Sequence, residues 1–151
     1  LSLINCSGFK PLYKENIKDI YKLQSFVIIA DQKKISQKIR KELISIFPAN
    51  KNSKYIIKIE AKSETSGTVS DITRKISRYK VEISATVKIY HRKKKYDKLI
   101  YYFDEKREAP YSLVLNNIRT TLASKNKAEE TAIRLLTEEI QKTILIYMAN
   151  N

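Results

Sequence analysis

The stretch Tyr79–Ile89, YKVEISATVKI, alternates without a break. Tyr79, Val81, Ile83, Ala85, Val87 and Ile89 fall on one side, and Lys80, Glu82, Ser84, Thr86 and Lys88 on the other. A period of two over this length predicts a strand buried on one face, about 35–40 Å long at ~3.3 Å per residue. Such a strand needs neighbours along its edges and a cover over its apolar side. The flanking sequence offers both.

Upstream, KYIIKIEAK (54–62) puts Tyr55, Ile57, Ile59 and Ala61 on one face and Lys58, Glu60 and Lys62 on the other. It reads as a second half-buried strand, with SETSGTVSD (63–71) as the turn between the two. Downstream, HRKKKYD (91–97) reads as a charged hairpin loop and KLIYYF (98–103) as the returning strand, with Pro110 ending it. Further upstream, YKLQSFVIIA (21–30) alternates Tyr21, Leu23, Ser25, Val27 and Ile29. Asp31 then offers an N-cap, and Ile35, Ile39, Leu43 and Ile46 or Phe47 form one helical stripe that Pro48 stops. Beyond a connection through YSLVLNNIRTTLAS, Asn126 and Glu129 make a capping-box pattern. Ala128, Ala132, Leu135, Leu136, Ile140, Ile144 and Tyr147 follow as a stripe of about six turns. The predicted order is β-α-β-β-β-α. The economical packing is an α+β two-layer sandwich, with two helices on one face of a four-stranded sheet and the other face polar.

At 151 residues the chain fits one domain, and 42% hydrophobic content is too apolar for a disordered one. No apolar run approaches the ~18 residues that cross a bilayer as a helix. A lone Cys6 excludes an internal disulfide and a cysteine-based zinc site. The net charge of +14 points to an anionic partner, although a Lys-, Ile- and Asn-rich composition also follows from AT-rich coding DNA. Clustering is more telling. Ten Lys or Arg from Arg74 to Lys98 face only Glu82 and Asp97, whereas Glu129–Asn151 holds four acids against Arg134 and Lys142. The partner is therefore met on one side.

Catalytic chemistry has little to stand on. Two glycines cannot build a phosphate-binding loop, and the lone His91, placed in the basic loop, lacks a second ligand or a triad partner. Glu129 and Glu130 are accounted for by a helix N-terminus. The expectation is a non-enzyme without cofactor or metal.

The N-terminal segment carries a further pattern. LSLINC resembles the tail of a bacterial lipoprotein signal, with Leu3 in the expected place before Cys6. After it, Gly8, Phe9, Pro11, Leu12 and Tyr13 follow a "C-G-F-x-P-L-Y" start with Ser7 inserted. This start resembles the lipopolysaccharide-assembly lipoprotein family LptE, particularly its alphaproteobacterial forms. The closing segment, with its Thr-Leu-Ala-Ser turn and an A-E-E-x-A start to a long amphipathic helix, is similar to that family's end. The resemblance implies a signal-peptide remnant at 1–5, a tether at 6–16 lipidated on Cys6, and a single domain at 17–151. It implies an outer-membrane protein on the periplasmic face, anchored in the inner leaflet, that plugs the β-barrel partner LptD and supports lipopolysaccharide insertion. Nucleic acid is not among the implied partners. Arg92, Lys93, Lys94 and Lys95 are the first choice for meeting lipopolysaccharide phosphates, with Arg74 and Lys75 second.

From Asp31 onward the order α-β-β-β-α also fits a double-stranded-RNA-binding domain. Glu129 and Glu130 would put negative charge where that domain's last helix meets phosphate, no GP-x-H loop occurs, and the strands are too long. The lipoprotein reading is preferred.

Overall fold

The computed structural model describes residues 26–47, 51–69 and 76–151. The elements are β1 (Phe26–Ala30), α1 (Lys34–Ile46), β2 (Tyr55–Val69), β3 (Ile76–Arg92), β4 (Asp97–Tyr111) and α2 (Ile118–Asn150). This is the expected β-α-β-β-β-α order. The strands form one sheet in the order β1-β2-β3-β4. β1 runs parallel to β2 because α1 carries the chain back, and the two remaining pairs are antiparallel. α1 packs on β1 and β2, α2 on β3 and β4, and the helices touch each other.

The alternation in β3 is realised in full. Val81, Ile83, Ala85, Val87 and Ile89 are buried under the helices, beside Ile57, Ile59 and Ala61 of β2. Ile39 and Leu43 of α1 and Ala132, Leu136, Ile140 and Ile144 of α2 close the core from above. Around its margin, Tyr101 stacks on Tyr147 at 4.3 Å, and Arg107 on β4 reaches Glu139 of α2 at 3.2 Å. Lys38 of α1 pairs with Glu129 of α2 at 2.8 Å, so Glu129 serves a helix-to-helix contact rather than a helix terminus.

Ser36 has a specific task. β1 pairs with β2 only as far as Ile59, which would leave the next backbone groups of β2 without partners in a buried place. The buried Ser36 hydroxyl accepts the Ala61 N–H at 2.8 Å and donates to the Ala61 carbonyl at 3.4 Å. A side chain thus extends the ladder one residue beyond the strand.

Several expectations are corrected. SETSGTV is strand, not turn: β2 stays paired to β3 through Val69, with a register irregularity between Thr68 and Val69. Its small polar residues lack a strand pattern of their own, and the long β3 supplies the hydrogen bonds. Pro110 does not end β4, which runs on to Tyr111; an edge strand needs no N–H on its outer side. In β1, Phe26 and Ile28 face the core and Ile29 is exposed, the reverse of the predicted parity. An all-apolar run carries no parity signal, so register with Tyr55 and Ile57 decides. Asp31 does not cap α1. Lys33 holds the cap position, and the Asp31 carboxylate accepts the Lys33 N–H from two residues away. α2 starts at Ile118, eight residues before Asn126, because Asn117 caps it by accepting the Thr120 N–H at 3.0 Å. His91 sits in β3 rather than in a loop, edge-on to Tyr55 at 5.2 Å. Tyr21, Leu23, Ser25 and Pro48 lie outside the described residues.

Candidate functional site

The uncovered face of the sheet takes its order from register. Across β2, β3 and β4 the rows read Glu64, Glu82, Glu108, then Lys62, Ser84, Lys106, then Glu60, Thr86, Asp104, then Lys58, Lys88, Tyr102. Lys80 stands in the row beyond, between Ser66 and Pro110. Positive and negative rows alternate along the strands. Like charges side by side repel across a ladder, so each row is held by its neighbours. Lys62 meets Glu64 at 2.8 Å, Lys106 lies 3.9 Å from Glu82, and Lys80 pairs with Glu108. Thr86 donates to Asp104, and the Lys58 ammonium stands 4.7 Å over the Tyr90 ring. The five carboxylates (60, 64, 82, 104, 108) stand against six cations, the five lysines (58, 62, 80, 88, 106) and Arg78, which lies opposite Thr68 in the outermost row. The face is therefore polar and banded, with its charges balanced to within one. A shallow hollow of about 580 Å³ runs over its middle rows.

Glu64 is held below its ordinary carboxyl value of 4.5 by the hydrogen bond from Lys62 and then by that ammonium's charge. Lys62 is raised above 10.5 by the same partner. The sign follows directly. The pair supports folding between those two values, loses support as pH falls through the depressed carboxyl, and loses it again as pH rises through the elevated ammonium. Both side chains are well exposed, so the stability involved is small. An NMR titration is expected to place the Glu64 midpoint below 4.5, and Lys62→Ala to return it toward that value.

The surplus charge sits at one end. Arg92 and Asp97 close the β3–β4 hairpin, and Lys93 donates its N–H to the Tyr96 carbonyl across the turn. Arg92, Lys93, Lys94 and Lys95 are brought together here and are exposed. Arg74 and Lys75 lie outside the described residues. Sequence reasoning missed Lys51 and Lys54. Arg92 donates through its guanidinium to the Lys51 carbonyl at 3.0 Å and through its backbone N–H to the Lys54 carbonyl at 2.7 Å, so that loop joins the hairpin. With Lys98 opposite His91 in the ladder, seven cations gather at this end, where Asp97 is paired across the ladder with Arg92. Lys51, Lys54, Lys94, Lys95 and Lys98 form no ion pair with a described acid. Such a cluster holds phosphate or other anions through charge and N–H donors. Only the Tyr55–His91 register could have revealed the two added lysines.

Among the described residues no group of His, Cys, Asp and Glu is placed to hold a metal ion, and no helix is long and apolar enough to cross a membrane. Cys6 and the tether lie outside the described residues.

No protein-family model matches the chain, and no curated protein matches it either. Solved structures share its fold. A Caulobacter crescentus protein described as a lipoprotein superposes with a TM-score of 0.70 at 12% identity, covering 89% of this chain and 98% of its own. A minor lipoprotein from Acinetobacter baumannii superposes with a TM-score of 0.62 at 13% identity, covering 82% and 92%.

Proposed function

We propose that the chain is an outer-membrane lipoprotein of LptE type. Cys6 carries the lipid anchor in the inner leaflet. The folded domain seats in an LptD-type β-barrel and supports delivery of lipopolysaccharide to the outer leaflet. The observation that carries this reading is the Cys6–Tyr13 motif on a chain whose fold recurs in bacterial lipoproteins. The physics agrees. One acyl chain binds a bilayer marginally, so a multiply acylated cysteine gives durable attachment without a spanning helix. A nearly neutral, banded polar face suits the hydrated interior of a large barrel, and the unpaired cations at the hairpin suit the phosphates of lipid A.

Expression from the full gene tests the reading. Intact mass is expected to show acyl chains on Cys6 with the preceding residues removed, outer-membrane fractionation, and co-purification of a heat-modifiable barrel. Cys6→Ser is expected to release the protein from the membrane. Recovery of unacylated Cys6 behind Leu1–Asn5 overturns it, as does duplex-RNA binding that weakens steeply with salt. For the phosphate contact, joint R92Q, K93Q, K94Q and K95Q substitution is expected to weaken binding to bisphosphorylated lipid A roughly tenfold or more at low salt. The difference should shrink as added salt screens these exposed charges.

A further inference from the structure

We propose that residues 112–122, at the end of the molecule opposite the basic hairpin, insert into the interface of an anionic lipid bilayer. The site goes beyond the lipoprotein reading and does not depend on a lipid at Cys6. β4 leads from the hairpin to Tyr111, so the two ends stand roughly 50 Å apart at ~3.3 Å per residue.

The first ground is exposure. Leu115 and Ile118 are 81% and 79% exposed, the highest values among the large apolar side chains of the described residues. Leu113, Val114 and Leu122 are exposed beside them around a shallow hollow of about 370 Å³. A single exposed leucine is ordinary, but five neighbouring aliphatics mark a contact surface.

The second ground is that the loop bonds part of its own backbone internally. The Thr121 hydroxyl accepts the Val114 N–H at 3.0 Å and donates to the Asn117 carbonyl at 3.1 Å. The Val114 carbonyl takes the Asn117 N–H at 3.2 Å, and the Asn117 side chain takes that of Thr120. Asn116 adopts the left-handed conformation (φ 62°) that asparagine tolerates better than most residues, so the chain turns without a glycine. The backbone N–H groups of Val114, Asn117 and Thr120 are thus bonded within the loop while the aliphatic side chains are exposed. Each group so bonded lowers the cost of moving the tip into the bilayer interface, where the remaining N–H groups still meet headgroups and water.

Charge selects the occupant. Between Tyr111 and Ala128 the chain carries Arg119, Lys125 and Lys127 and no acid. Aliphatic side chains at a tip with cations behind them match acyl chains below anionic headgroups. The banded face, with acids and lysines in alternating rows, has no such pattern.

The test uses the full 151-residue chain with phosphatidylcholine vesicles, with and without phosphatidylglycerol. The L115W indole is expected to shift its emission to shorter wavelength only with the anionic vesicles. Joint L115S and I118S substitution is expected to weaken vesicle co-sedimentation roughly tenfold or more, with an unchanged melting temperature. R119Q, K125Q and K127Q together are expected to weaken it and flatten its salt dependence. The R92Q, K93Q, K94Q, K95Q variant is expected to keep the indole shift, which separates this site from the hairpin. An absent shift, an equal shift on phosphatidylcholine alone, or undiminished vesicle binding by the double serine variant overturns the proposal. So does a double variant that keeps vesicle binding but loses a protein partner, since the tip would then serve that protein.

Discussion

Leu136→Ala is expected to lower the unfolding free energy by about 2–5 kcal/mol. Leu136 is fully buried in α2, in the cluster that joins both helices to the sheet. Removing its isobutyl group forfeits the transfer energy of the lost carbons and leaves a cavity that a rigid sheet cannot collapse to fill. For a domain of this size each kcal/mol shifts the melting temperature by about 2–4 °C, so a fall of roughly 5–15 °C is anticipated by calorimetry. The control is Leu115→Ala, the same chemical change at the exposed tip, where the loss should stay within about 0.5 kcal/mol. A small loss at Leu136 would mean that α2 is not docked on the sheet as described. A large loss at Leu115 would mean that the tip is part of the core.

The two leucines also show what a sequence discloses. Leu136 belongs to a stripe of helical period, and that period alone turns it inward. Leu115 sits in YSLVLNNIRT, where apolar residues follow no period, and nothing local says whether they are covered. The same limit separates β3 from the second half of β2. Alternation in YKVEISATVKI is strong enough to place every side chain, whereas SETSGTV becomes strand only because β3 runs beside it. Pairing energy from a neighbour overrode a turn-like composition. α2 shows a comparable conflict. Asn126 with Glu129 has the better-known start pattern, yet the Asn117–Thr120 contact lies earlier and the chain between them is free to continue as helix. At the basic end, the run Arg92–Lys95 is plain in the sequence because its charges are consecutive. Lys51 and Lys54 are not, since only strand register brings them there. The banded face is half legible: each strand shows its own Lys/Glu alternation, but the phase between strands is a property of pairing.

Ser36 offers a sharper probe of that pairing, through two substitutions of nearly equal shape. Ser36→Val is expected to destabilise the protein by about 2–4 kcal/mol relative to Ser36→Thr, measured by urea unfolding. Both variants add a branch at Cβ, so overpacking and lost helix propensity largely cancel between them. What differs is the hydroxyl. Without it the Ala61 N–H loses its acceptor in a fully buried site, and the Ala61 carbonyl and the Asp31 carboxylate, which share the single hydroxyl proton, lose their donor while valine keeps water out. Asp31 supplies a second readout. Its carboxyl is held below its ordinary 3.8 first by the Ser36 hydroxyl, against the opposing effect of burial, and then by Lys33. Valine should let the Asp31 midpoint rise and threonine should keep it low, both read by NMR titration. The sign of the coupling follows. A depressed carboxyl favours the folded state above its unfolded value and gives that advantage up as pH falls through the folded value. The valine–threonine gap should therefore be widest above about pH 4 and narrow in more acid solution, leaving only the part due to Ala61. Equal stability of the two variants at neutral pH would show that the hydroxyl does not complete the β2 edge.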